Sequence, residues 1–327
     1  MKQSIIIFSL AWMIFFCAHI PLSAASWYVS PTGSDANAGN AEDAPLMLIQ
    51  TAINLASSGD TIYLMNGTHT NNVTTWAGFD AVAWFNGFQD NLTLRNLHGH
   101  SPVIQLTGTQ TAGVHVNGAS GITIEGIEFE GNNRFLTPAS AALLPGNDPL
   151  RQNTAIWVDD AGGGHIPTDL TIRGNTIRDF GGNGMQIAHT DNLLVEYNIV
   201  YNNAWYSEAG NSGISVTELA NVYDADLGHR VVIVNNMSYS NRNYFPFMGQ
   251  ILDGNGIILD FANTGGYNGR ILVANNVVFD NGGAGLEAYN SDRVDFINNT
   301  AFNNSLHVDI DKGNVRGGGF HRINRAQ

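Results

Sequence analysis

Cysteine is almost missing from this chain: Cys17 is the only one among 327 residues. It lies inside an apolar N-terminal run, so neither disulfides nor thiol chemistry can serve the rest of the chain. Lysine is nearly as scarce, with Lys2 and Lys312 alone. Setting Lys2 aside leaves 13 basic side chains against 28 acidic ones. That balance excludes nucleic acid and anionic membrane surfaces as partners. An anionic polymer would also be repelled unless a cation bridged it. The one long hydrophobic run, Ile5 to Ile20, comes after Lys2 and precedes the small residues Ser23-Ala24-Ala25. It is too short to span a membrane comfortably and reads as a signal peptide over 1–25. A secreted or periplasmic protein is therefore expected, with no membrane partner and one domain over 26–327.

A short strand is written five times. GMQIAH from Gly184, GISVTE from Gly213, GIILDF from Gly256 and GLEAYN from Gly285 align on a glycine, and AIWVDD from Ala155 joins one step earlier. Alternation turns Ile156/Val158, Met185/Ile187, Ile214/Val216, Ile257/Leu259 and Leu286/Ala288 inward. Between these strands asparagines recur in pairs: Asn198/Asn203, Asn236/Asn241, Asn276/Asn281 and Asn299/Asn304. Asparagine tolerates left-handed turns, and its amide can bond the amides above and below. Strands and turns repeating together are the rungs of a solenoid. The fold class is all-β, a single parallel β-helix. Its wider rung spacing between Gly213 and Gly256 marks insertions at Glu218 to His229 and Asn241 to Gly254.

The mature start, WYVSPTGSD, reads as a strand and turn. The run PLMLIQTAINLASSGDTIYLMNGTH then places Ile49, Ala52, Ile53 and Ala56 at helical spacing. A helix over about 46–57 is predicted, capping the first rung. This N-terminal run resembles that of the secreted right-handed parallel β-helix proteins, the pectate-lyase-like superfamily. The resemblance extends over nearly the whole mature chain. It implies a right-handed coil, a polysaccharide substrate, a monomer, Ca2+ as cofactor and a lysine or arginine base. One departure stands out. In the pectate lyases that DGNGIILD resembles the base is a lysine in this stretch, and here the aligned residue is Ile258.

Stacked rungs lie roughly 4.8 Å apart, so each strand position becomes a column. Alternation gives two outward columns. One runs Trp157, Gln186, Ser215, Ile258, Glu287 and then Asp309. The other runs Asp159, Ala188, Thr217, Asp260, Tyr289 and Asp311. The final positions assume that Val308 and Ile310 face inward. Asp260, Glu287, Asp309 and Asp311 then gather around Tyr289. Such carboxylates either share a proton or hold a cation, and calcium suits them. Exposed charges guarding a sheet edge would produce the same pattern. Candidate catalytic residues are Asp260, Glu287, Arg242 and Lys312, with Asp260, Asp309 and Asp311 as metal ligands. Tyr244, Phe247, Tyr289 and His189 are candidates for substrate contact. Tyr244 and Phe247 could equally pin their loop to the stack. His189 and Glu218, beside Asp160, form either an acid/base pair or a solvated ladder. Three activities fit this scaffold: a lyase acting on a uronate polymer, a glycoside hydrolase using a carboxylate pair, and a glycan-binding protein without catalysis.

Overall fold

The computed structural model describes residues 24–306 and the strand at 320–323, apart from residues 76–77, 225–227, 248 and 265. Among the described residues the strands form three sheets of nine, eight and nine strands. The chain visits them in turn, here called sheets A, B and C, and every pairing between successive rungs is parallel. Sheet C carries the strands Asp80–Asn86, Ala112–Asn117, Thr154–Asp159, Met185–Ala188, Ile214–Thr217, Ile257–Asp260, Leu286–Tyr289 and Phe320–Ile323. Their register matches the inward pattern. Ile156 pairs with Met185, Met185 with Ile214, Ile214 with Ile257, and Ile257 with Leu286. All ten inward residues of these rungs are buried completely. At about 1.5–3 kcal/mol for burying an aliphatic side chain, each rung is held chiefly by stacking on its neighbours.

The asparagine pairs are structural, though not for the turn geometry expected of them. Asn175, Asn198, Asn236, Asn276 and Asn299 form one ladder. In it each backbone N–H and each side-chain NH2 donates to the next residue's Oδ1, at 2.9–3.1 Å. Asn203, Asn241, Asn281 and Asn304 form the other at 2.9–3.2 Å. The left-handed residue is instead the one before: Tyr197, Asn235, Asn275 and Asn298 have φ of 55°, 58°, 56° and 51°. The ladders thus satisfy amides and carbonyls that the corners of the coil would otherwise bury unpaired.

The capping helix α1 spans Ile49–Leu55 and buries Ile49, Ala52 and Ile53. It is shorter than its periodicity suggests because Leu46 bridges to Val29 in the sheet and Asp35 holds the amides of Met47 and Leu48. Rungs begin early in the chain. Asp80–Asn86 is already a sheet C strand, paired with Ala112–Asn117. Gln50 of α1 closes its open edge: its Nε2 donates to the Trp84 carbonyl at 3.1 Å and its Oε1 accepts from the Trp84 amide at 2.9 Å. No helix among the described residues is long and apolar enough to cross a membrane.

Candidate functional site

The outer face of sheet C gathers most of the chain's candidate chemistry. Register continues the two columns downward beyond the repeats. Trp84 pairs with His115 and His115 with Trp157, while Asn86 pairs with Asn117 and Asn117 with Asp159. A third column forms where the chain leaves each strand: Asp160, His189, Glu218, Phe261 and Asn290. His189, Glu218, Phe261 and Asn290 adopt φ between 45° and 53°. This left-handed corner turns the backbone toward sheet A and sets successive side chains along one edge.

His189 occupies the middle of that edge. Its Nε2 lies 3.0 Å from Glu218 Oε2, and its Nδ1 lies 3.2 Å from Asp160 Oδ1. The ring is 39% exposed and Glu218 47%, so both reach solvent. An imidazole with a carboxylate at each nitrogen can gain or lose a proton on one side while the other side holds its orientation. Ala188 and Thr217 are the small residues beside this edge on the same rungs.

One rung below lies a second histidine–carboxylate contact that the repeat pattern did not reveal. His115 is buried, stacks on Trp157 with centroids 4.7 Å apart, and places Nε2 3.1 Å from Asp159 Oδ2. Asn117 donates its amide to Asp159 Oδ1, and the Ala161 N–H donates at 3.4 Å. Burial opposes ionisation of Asp159, but the hydrogen bond and charge of His115, with the Asn117 and Ala161 donors, outweigh it and hold its pKa below the ordinary carboxylate value. The signal was present in AWFN, VHVN and WVDD, which share the inward residues Phe85, Val116 and Val158. Aligning those three would have carried the columns down to the first rungs.

The predicted acidic cluster is reorganised. Asp260 is half-buried on the outer face and pairs with Thr217 below and Tyr289 above. Glu287 pairs with Ile258, diagonal to Asp260, and is completely buried. A polymer resting on the outer face therefore cannot touch Glu287 without displacing what covers it. Tyr289, 8% exposed, packs its ring edge-on against Phe261 at 5.1 Å. The strand over Leu286–Tyr289 is Phe320–Ile323, with Glu287 opposite His321 and Tyr289 opposite Ile323. The register that set Asp309 above Glu287 and Asp311 above Tyr289 is thus overturned, because a later segment fills that rung. Asp309, Asp311 and Lys312 lie outside the described residues.

Arg242 stands apart from Asp260. Its backbone abuts Gly254, and Gly282 packs on its side chain, before the strand Ile257–Asp260 begins. Asp260 lies at the far end of that strand, roughly 10 Å beyond Ile257 at 3.3 Å per residue. Tyr244 packs against Trp205 and Tyr206 with centroids 5.4 and 6.2 Å away. Neighbouring Phe245 receives the Arg151 guanidinium over its face at 4.4 Å. Phe247 bridges to Gln250 and lies beside Gly210. These contacts bind the insertion to Trp205, Tyr206 and Arg151.

Calcium needs several oxygen ligands around one point. Among the described residues no group of three or more histidine, cysteine or carboxylate side chains is placed to hold a metal ion.

Comparison with known proteins agrees with the architecture. Pectate lyase PEL9 of Emericella nidulans is 54% identical over 56 residues, 17% of this chain and 13% of that protein, so the match spans a small part of its length. The crystal structure of pectate lyase Pel9A superposes with a TM-score of 0.51 at 15% identity, covering 92% of this chain and 76% of that one. A rhamnogalacturonan lyase gives 0.45 at 15% identity over 84% and 73%. At such identities the likeness is one of fold. The model of the right-handed beta helix region matches residues 49–301, most of the chain, and the protein belongs to that family.

Proposed function

We propose that this is a secreted, polysaccharide-active enzyme that cleaves a uronate-containing polysaccharide by β-elimination along the outer face of sheet C. The observation that carries the reading is His189, solvent-accessible and set between Asp160 and Glu218. Local identity to a pectate lyase supports the reaction class. His189 takes the proton from the carbon next to the uronate carboxylate. That electron pair forms the new carbon–carbon double bond, the bond to the glycosidic oxygen breaks, and the departing oxygen takes up a proton. Asp160 and Glu218 orient the ring and stabilise the imidazolium that forms. Asp260, two rungs above His189, lies on the same outer face. No step is assigned to calcium.

A second reading rests on charge. No arginine or lysine occupies the three outer columns of sheet C among the described residues, and the chain carries a net charge of −14. A neutral glycan avoids the resulting repulsion. Asp160 and Glu218 contact opposite nitrogens of one imidazole at 3.2 and 3.0 Å. That limits their separation to roughly 8 Å, inside the ~6.5–9.5 Å spacing of inverting glycoside hydrolases.

One assay separates the readings. Purified protein is incubated with pectate, alginate, rhamnogalacturonan and neutral polysaccharides, with and without EDTA. β-Elimination produces the ultraviolet absorbance of an unsaturated uronate, and hydrolysis produces reducing ends without it. Loss of the absorbance in His189→Ala supports the lyase assignment; full turnover in that variant removes His189 from it. Absorbance abolished by EDTA would show that the reaction requires a metal ion.

A further inference from the structure

Below the His189 edge, on the first rungs of sheet C, lies a cavity of about 230 Å³ lined by Trp84, Asn86, Phe88, Asn117 and His165 among others. Its walls are fixed. His165 packs over Gly87 and Gly118, where an added Cβ would come within 3.0 Å and 2.8 Å of the His165 side chain. Gly118 also has a φ of 78°, so this corner tolerates no ordinary side chain. Phe88 is 87% exposed, with its ring edge-on to His165 at 5.8 Å. Folding alone does not explain so large an apolar group left in water. Nor does it explain Trp84, whose Nε1 is buried with no hydrogen-bond partner. Asn86 accepts the Phe88 amide on Oδ1 at 3.1 Å, which leaves its NH2 group to donate.

We infer that this cavity is a subsite for one neutral sugar ring of the polysaccharide, an inference that rests on the polysaccharide-active reading above. The C–H face of a pyranose suits exposed aromatic rings, and its hydroxyls suit the Asn86 amide. The volume fits a single ring, since pockets for larger ligands run to about 300–1,000 Å³. Neutrality follows from the surroundings. The lining contains no arginine or lysine, and Asn117 leads directly to Asp159, whose carboxylate is held ionised. A uronate here would approach the Asp159 carboxylate with no arginine or lysine in the lining to receive it. Asn117 lies two rungs below the rung of His189, roughly 10 Å along the axis. The substrate is therefore a heteropolysaccharide carrying a neutral sugar a short distance from the uronate whose linkage is cut.

The test uses the mature protein with D-galactose, L-rhamnose, D-xylose, D-glucose and D-galacturonate, read by tryptophan fluorescence and by saturation-transfer NMR. At least one neutral sugar is expected to bind, and D-galacturonate about tenfold more weakly, a difference near 1.4 kcal/mol. Phe88→Ala, at an exposed position, and Asn86→Asp, which keeps the acceptor for the Phe88 amide but removes the NH2 donor, should each weaken binding by about three- to tenfold. Far-UV circular dichroism checks that both variants remain folded. His189→Ala should bind these sugars as the parent does. Failure of every neutral sugar to bind, preference for D-galacturonate, or unchanged affinity in both cavity variants overturns the subsite. Sugar binding that persists while no polysaccharide is cleaved would instead remove the catalytic reading and leave the subsite standing.

Discussion

His189 owes its position to two properties of single residues. A left-handed corner, φ 53°, lifts it out of the strand, Glu218 bonds its Nε2 at 3.0 Å, and the Asp160 carboxylate lies 3.2 Å from its Nδ1. His189→Ala or His189→Gln is expected to lower kcat by about 10²–10⁴-fold with a smaller change in KM, measured on whichever polysaccharide is cleaved. Asp159 supports a second prediction, this one about stability. Its pKa in the folded protein lies below the unfolded value near 3.8. Its ionised form therefore contributes stability that is fully present above about pH 4 and is lost as pH falls through the folded pKa. Asp159→Asn should lower stability at neutral pH and flatten the acid limb of a melting-temperature profile. An unchanged slope below pH 4 would exclude this carboxylate from acid unfolding. The outward alternation that exposed Asp260 was legible in the sequence. The burial of Glu287 was not, because alternation states which face a residue takes and not what later covers that face.

At the scale of the element, the asparagine ladders and the capping helix divide the work of finishing the coil. Asn236 is 1% exposed and bonds both neighbours in its ladder, together with the carbonyls of Val195 and Val234. Asn236→Ala leaves several buried groups unpaired, at about 1–3 kcal/mol each. It should lower stability by several kcal/mol in denaturant unfolding. Asn304→Ala, at the half-buried end of the other ladder, should cost distinctly less. Equal losses would argue against a ladder that acts as a continuous chain. Gln50→Ala opens the edge of the first sheet C strand and should cost about 1–2 kcal/mol while raising the tendency to aggregate, seen by light scattering on heating. The helix itself was readable from Ile49, Ala52 and Ile53. Its start was not, since a bridge from Leu46 to Val29, distant in sequence, competes with helical spacing there.

For the whole molecule, net charge sets how a polymer arrives. With −14 overall and no basic residue in the outer columns of sheet C among the described residues, a uronate chain approaches against a repulsive field. Raising ionic strength from about 0.01 to 0.15 M shortens the screening length from ~30 to ~8 Å. KM for a uronate substrate is expected to fall several-fold over that range, whereas binding of a neutral oligosaccharide should stay nearly constant. A KM that rises with salt would mean that basic residues outside the sheet C groove receive the polymer.

What the sequence determined by itself was every feature that repeats: the inward residues of five rungs, the asparagine ladders, the capping helix and the outward columns from Trp157 to Glu287. Each repeat presents the same local pattern again, so the physics of one rung is restated until it cannot be mistaken. Tertiary structure alone decided what happens once in the chain. It chose Phe320–Ile323 rather than residues 308–311 as the strand over Leu286–Tyr289, although the latter alternate at least as well. It also brought His165 across Gly87 and Gly118 to shape a cavity and paired buried His115 with Asp159. Those outcomes depend on how loops close and on which side chains fill the remaining space, and short-range periodicity carries no information about either.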